Sequence, residues 1–233
     1  MDAVTRRQLE MGRRALDFSR EHPDASPGSA LALTGLEEQI RTADALAAEQ
    51  QDGIRAVRAA TARKRELRRL MNDSHLLHVA RVGQAAAKEL PELAQTFGFS
   101  REPIPYAVFR TRAQTLVAAA EAHKELLTKY GLADTAFDGL KQALVDFDAA
   151  LEQGMGGRLT HVGASAKLAV VAGDIVRAVK VMDGLNRFRF RDQPDLLAAW
   201  KSASKVVDFT RTPEAEGTPE GEVPPTAGEV KAA

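Results

Sequence analysis

The feature that most limits how this chain can fold is a helical pattern of apolar residues between residues 133 and 190. Steps of three and four residues place these side chains along one side of a single long helix, which we call the seam. No proline interrupts the segment, and its second half is apolar nearly all round, as in a helix with several neighbours. The segment therefore predicts the central helix of a bundle. The predicted seam is Phe137, Leu140, Leu144, Phe147, Leu151, Gly154, Arg158, His161, Ser165, Leu168, Ala172, Ile175, Val179 and Met182.

A second long helix is predicted from residue 28 to residue 90. Proline is favoured in the first turn of a helix, so Ser26-Pro27-Gly28 suits a helix start, and the next proline is Pro91. Glycine and short polar side chains weaken a helix interior, so Gly53 and the run Asn72-Asp73-Ser74 are the predicted bends. Three shorter helices are predicted at residues 4–20, 106–130 and 194–207.

The two long segments determine the predicted architecture. Each is on the order of 80–90 Å long at a rise of about 1.5 Å per residue, and no other segment is long enough to cover either. The expected fold class is therefore all-α: an elongated antiparallel bundle of two long helices with three shorter flanking helices. It would span residues 1–208 and have two lobes. Breaks at Gly53, Asn72 and Gly154 would instead give a compact bundle of more helices, and the sequence leaves that alternative open.

The composition changes near the C-terminal end. From Thr210 onward the chain has four prolines, three glycines and five glutamates, against one arginine and one lysine. A segment of this kind cannot bury enough apolar surface to offset the entropy lost on ordering. Residues 209–233 are therefore predicted to be a disordered acidic tail.

Composition and motifs exclude several classes of protein. Lys+Arg and Asp+Glu each number 32, so no overall charge favours a nucleic acid or an anionic membrane as partner. The chain contains no cysteine, which excludes disulfides, thiolate zinc sites and cysteine nucleophiles. It also lacks Gly-x-Ser-x-Gly, His-Glu-x-x-His and a phosphate-binding loop. We therefore expect no enzyme activity, no cofactor and no metal.

The location is predicted from two segments. No apolar stretch of signal-peptide type follows the arginines near the N-terminus. The most apolar window, residues 162–182, is interrupted by Lys167, Asp174, Arg177 and Lys180, which a membrane span would tolerate poorly. We expect a soluble cytoplasmic protein.

The second half of the chain resembles an uncharacterised family of all-helical bacterial proteins with no assigned activity. The residues that carry the resemblance are Lys124-Glu125-Leu126-Leu127 before Gly131-Leu132, Phe137 and Leu140, Gly157-Arg158, residues 181–185 and Asp195-Leu196-Leu197-Ala198-Ala199-Trp200. The resemblance implies a helical fold and no functional residue.

A polar interruption of the predicted seam, which we call the waist, is the first candidate site. Its residues are Arg158 and His161, expected to face Glu49, Gln50 and Asp52 of the other long helix. Three interpretations are open: a seam shifted by one residue to Met155, Leu159 and Val162; a buried layer in which Arg158 pairs with Glu49 or Asp52; or a ligand site. An unpaired buried arginine would be too costly to expect.

The second candidate site is a basic face on the first long helix. Arg55, Arg58, Arg65 and Arg69 lie within a narrow arc and could follow a phosphate backbone or meet an acidic partner. A solvated face is the competing interpretation. His75 and His78 could share a helix face, but no pattern of further ligands accompanies them.

The long alanine-rich surfaces and the lack of a catalytic set together favour a non-enzymatic scaffold or protein-interaction protein that self-associates. Nucleic-acid binding through the basic face is the alternative hypothesis. No membrane partner is expected.

Overall fold

The structure, a computed structural model, describes residues 1–207. The helices are α1 (Ala3–Glu21), α2 (Pro27–Leu70), α3 (Leu77–Ala86), α4 (Leu93–Thr96), α5 (Tyr106–Ala122), α6 (Lys124–Lys129), α7 (Asp134–Arg189) and α8 (Pro194–Ala203). A π-helical segment, Met71–Leu76, joins α2 to α3. Residues 1–207 contain no strand, which confirms the predicted all-α class. The predicted tail, residues 209–233, lies outside the described residues.

The predicted pair of long antiparallel helices is confirmed. α7 is continuous over 56 residues. α2 runs beside it in the opposite direction: Gln50 bonds to Ser165, whereas His75, further along the chain, lies against Gly139. Small residues recur every seven positions on the side of α7 that is buried, which allows the two helix backbones to approach closely. These residues are Ala143, Ala150, Gly157 and Ala164.

The middle of the predicted seam was wrong by one residue. The prediction placed Leu144, Leu151 and Arg158 in the contact, but the buried positions are those immediately before them. Ala164 is likewise buried beside Ser165, which keeps a hydrogen bond to α2. A close contact between two helices accommodates alanine and glycine better than leucine, so the larger side chains lie at its edges. From Leu168 to Met182 the predicted positions are all buried.

Of the predicted bends, only one alters the backbone. Gly53 and Gly154 lie inside uninterrupted α-helix, so the compact alternative with breaks at both positions is not observed. Asn72-Asp73-Ser74 lies inside the π-helical segment. The helix predicted at residues 106–130 is divided at His123 into α5 and α6.

Two apolar clusters lie at opposite ends of the long helices. The first cluster gathers α1, α8 and the adjoining ends of α2 and α7; it includes Leu36, Ile40, Ile175, Met182 and Trp200. The second cluster gathers α3 to α6 and the other ends of the long helices; it includes Leu67, Phe97, Phe109, Leu140 and Phe147. The shorter helices therefore cover the two ends, as predicted.

A hydrogen-bonded acid stabilises the start of α2. The Ser29 hydroxyl donates to Asp24 Oδ2 at 2.7 Å, and the Ser26 N–H donates to Asp24 Oδ1 at 3.0 Å. These bonds lower the pKa of Asp24 from 3.8 to about 2, and the bond from Ser29 has the largest effect. A lowered pKa in the folded state means that the stabilisation is complete above pH 3.8 and is lost as the pH falls through about 2.

We expect Ser29→Ala to raise the pKa of Asp24 towards 3.8, because the strongest bond to the carboxylate is removed. An NMR titration of the Asp24 carboxyl carbon measures this pKa directly. Ser202→Ala, on the exposed side of α8, is the control and should leave the midpoint unchanged. An unaltered midpoint in Ser29→Ala would contradict the assigned cause.

Candidate functional site

α2 and α7 approach each other closely at the predicted waist. A Cβ atom added to Gly53 would lie 2.7 Å from the backbone nitrogen of His161 and 2.8 Å from the carbonyl oxygen of Gly157. A Cβ atom added to Gly157 would lie 2.9 Å from the Cβ of Ala56. The two backbones are therefore in direct contact, and no space for a ligand remains between them at this level.

The waist residues predicted from the sequence are not brought together. Glu49, Asp52 and Arg158 are exposed, and Asp52 pairs with Arg55 on its own helix. His161 is partly buried, and its Nδ1 has no hydrogen-bond partner among residues 1–207. The interpretation in which Arg158 pairs with Glu49 or Asp52 does not match this geometry.

A buried glutamine provides the polar contact at the waist instead. Gln50 is 1% exposed, and its Nε2 donates to Ser165 Oγ at 2.6 Å. The Met1 amine donates to Gln50 Oε1 at 2.9 Å, and the Ser165 hydroxyl donates to the His161 carbonyl at 2.7 Å. Both ends of the buried amide are thus satisfied, so this network stabilises the helix pair.

The opposite side of α7 carries a stripe of large apolar side chains that face outward. The exposed fractions are 62% for Met155, 75% for Leu159, 56% for Val162 and 64% for Val170. These four residues, which we call the apolar stripe, share one face because their spacing is four, three and eight residues. They span about 22 Å at 1.5 Å per residue.

The interpretation in which Met155, Leu159 and Val162 form the contact with α2 is therefore wrong. This part of α7 has apolar residues on two sides, and periodicity alone does not distinguish them. The small residues, which include Gly157 and Ala164, pack on α2, and the large apolar residues are exposed to solvent. The signal for an outward surface was present in the sequence as a second apolar phase on the same helix.

Small residues surround the apolar stripe. A Cβ atom added to Gly156 or Gly163 would meet nothing within 4 Å, and Ala166 and Ala169 are exposed. The nearest charged residues, Arg158 and Lys167, are exposed on the two flanks rather than between the large apolar side chains. The stripe is therefore a smooth apolar surface that another helix could approach closely.

The predicted basic face is exposed on the side of α2 that points away from α7. All four predicted residues, Arg55, Arg58, Arg65 and Arg69, are exposed. Arg55 pairs with Asp52, and Arg69 Nε lies 4.0 Å from Asp73 Oδ2. Arg58 and Arg65 form no ion pair within residues 1–207. Part of this positive charge is therefore not compensated within the described part of the chain.

The histidines do not assemble a metal site in the described region. No cluster of three or more His, Cys, Asp or Glu side chains within residues 1–207 has the geometry to hold a metal ion. The His75 ring lies against Gly139 of α7, and His78 Nε2 is buried without a hydrogen-bond partner.

Among residues 1–207, no helix combines the length and apolarity needed to cross a membrane.

Comparison with models of protein families gives no match, and comparisons with curated proteins and with solved structures give none either. The resemblance to a family of all-helical bacterial proteins therefore stays a prediction.

Proposed function

We propose that the protein is a non-enzymatic helical scaffold that self-associates through the apolar stripe of α7. The observation that supports this proposal is that four large apolar side chains, each more than half exposed, lie on one continuous helix face. Contiguous exposed apolar surface on a protein commonly marks an interaction site.

A second copy of the chain is the partner that fits this surface best. No charged side chain lies between the large apolar residues, so no oppositely charged partner is selected. Met155 lies seven residues before Val162 and Val170 lies eight residues after it, so the two ends of the stripe are almost equally far from Val162. A twofold axis near Val162 would place each stripe on its counterpart, as an isologous dimer requires. Gly163, beside Val162, allows the two helices to approach closely.

The expected affinity is moderate. Full burial of a large apolar side chain contributes about 1.5–3 kcal/mol, and association costs about 4–15 kcal/mol in lost freedom. The free energy gained by burying four such side chains on each of two copies exceeds the cost of association by a limited amount. We therefore expect dimerisation with a dissociation constant in the micromolar range, which corresponds to about 8 kcal/mol.

The double variant Leu159→Gln/Val162→Gln is expected to be monomeric, because it removes the centre of the apolar stripe. Light scattering after size exclusion, at several protein concentrations, measures the mass. The wild type should rise from 25.2 kDa towards twice that value as concentration increases, and the variant should stay at 25.2 kDa. Its melting temperature should change little, because both residues are exposed.

Leu31→Gln is the matched control for this experiment. Leu31 is 77% exposed but lies on α2, away from the stripe, so its replacement should leave dimerisation intact. A wild type that is monomeric at every concentration would contradict the proposal. Equal loss of dimer in the control would show that general surface hydrophobicity, and not the stripe, drives association.

A further inference from the structure

A cleft of about 420 Å³ opens beside the π-helical segment, between the end of α2 and the loop before α5. Its charged lining residues are Arg65, Arg68, Arg69, Arg101 and Asp73. Arg65 and Arg69 belong to the basic face of α2, whereas Arg101 comes from a loop more than thirty residues later in the chain. The fold therefore adds two arginines, Arg68 and Arg101, to one end of the predicted basic face.

The positive charge of this cleft is only weakly compensated. Four guanidinium groups and one carboxylate line it, which leaves a net charge of +3. Asp73 lies 3.9 Å from Arg101 Nη2 and 4.0 Å from Arg69 Nε, so one carboxylate is shared at long range. Glu66 accepts a hydrogen bond from Arg63 at 3.0 Å and lines an adjoining cleft with Arg65 and Arg69, but it does not line this one.

One arginine of the cleft is held in place before any ligand binds. Arg68 Nη1 donates to the Ile104 carbonyl at 2.7 Å. Its guanidinium carbon lies 5.7 Å from the ring centre of Tyr106 and 5.2 Å from that of Phe109, within range of a cation–π contact. A fixed guanidinium loses little entropy on binding an anion, so Arg68 can act as a preorganised anchor.

The backbone beside the cleft is unusual. The π-helical segment, Met71–Leu76, begins two residues after Arg69 and carries Asp73. Such segments are rare and often occur at functional sites. Here it lies where the loop containing Arg101 reaches the end of α2.

We propose that this cleft binds the phosphate groups of a ligand, with Arg65, Arg68 and Arg101 as the main contacts. Guanidinium groups bind phosphate oxygens through paired charge-assisted hydrogen bonds. The terminal phosphate of a diphosphate carries about −1.5 to −2 charge and its inner phosphate about −1, so one diphosphate would offset the charge of the cleft. In a nucleic-acid strand each phosphodiester carries about −1, so about three would be needed. The bound phosphates could belong to a free nucleotide or to a nucleic-acid strand. The site is separate from the apolar stripe, so it does not depend on self-association.

The test measures binding of inorganic pyrophosphate by titration calorimetry at low salt. Arg65→Ala/Arg101→Ala is expected to lower the affinity about tenfold or more, because two phosphate contacts are lost. Arg55→Ala/Arg58→Ala removes the same charge from the same protein but outside the cleft, and its affinity should change by less than about twofold. All four residues are exposed, so thermal unfolding should confirm that both variants are folded.

A labelled single-stranded oligonucleotide, followed by fluorescence anisotropy, distinguishes the two sources of phosphate. Binding tighter than that of pyrophosphate, with loss in the cleft variant, would assign the site to nucleic acid. Binding no tighter than that of pyrophosphate would assign it to a small phosphorylated ligand. Absence of pyrophosphate binding to the wild type, or equal losses in both double variants, would overturn the proposal.

Discussion

Replacing Gly53 by leucine is expected to lower the free energy of unfolding by about 3 kcal/mol, because no side chain fits where α2 and α7 meet. The first added atom would lie 2.7 Å from the His161 nitrogen and 2.8 Å from the Gly157 oxygen, and backbone atoms of a helix cannot move aside individually. The two helices would have to separate. Thermal unfolding followed by circular dichroism should show a melting temperature lower by about 6–12 °C.

Gly35→Leu provides the matched control on the same helix. Gly35 is exposed inside α2, and an added Cβ atom would meet nothing within 4 Å. Leucine is a better helix former than glycine, so this substitution should stabilise the protein by about 0.5–1 kcal/mol. The two substitutions are chemically identical and should have opposite signs. A similar change in both would show that the close contact at the waist does not contribute to stability.

Removing the indole of Trp200 should cost about 3–5 kcal/mol, the usual range for a buried aromatic replaced by alanine. Trp200 is 0% exposed, and its ring centre lies 5.4 Å from that of Phe18. Its Nε1 donates to Asp183 Oδ1 at 2.9 Å. One side chain of α8 thus contacts both α1 and α7. Trp200→Ala should therefore loosen the whole first cluster, which hydrogen exchange of the backbone amides would detect.

The comparison with Trp200→Phe separates packing from hydrogen bonding. Phenylalanine keeps most of the apolar contact but loses the N–H donor, and Asp183 retains the Arg187 Nε donor at 2.7 Å. We therefore expect a cost of about 1–2 kcal/mol, well below that of alanine. Amides near Phe147, in the second cluster, should exchange unchanged in both variants. Faster exchange there as well would show that the two clusters unfold together.

The large features of the fold could be predicted from the sequence because length and periodicity determine them. An apolar repeat of this length leaves few choices other than two helices that cover each other. The exact contact was harder, since alternation of Ala143, Leu144, Ala150 and Leu151 supports two seams equally well. Leucine is more hydrophobic than alanine, which favours the seam that contains the leucines. The structure buries the alanines because short side chains permit a closer approach of the backbones.

The candidate sites, like the fold, could be predicted only in part. The arginines of the basic face share one exposed side of α2, and the sequence indicates this because a single helix determines its own faces. Binding through that face stays a prediction. The cleft was missed, since Arg101 reaches it only through the path of the loop before α5. For the waist the sequence left three interpretations of Arg158 and His161 open: a shifted seam, a buried polar layer or a ligand site. The buried polar side chain there is Gln50, which donates a hydrogen bond to Ser165 of the predicted seam.

The order of the elements along the chain has a consequence for how the protein is made. The second cluster is built from one contiguous stretch, residues 67–150, whereas the first combines residues 9–43 with residues 168–200. Contacts between residues close in sequence form quickly, and a ribosome delivers the chain from its N-terminus. The second cluster can therefore fold during synthesis. The first cluster cannot form, and α1 and the start of α2 stay uncovered, until residues 168–200 have been synthesised.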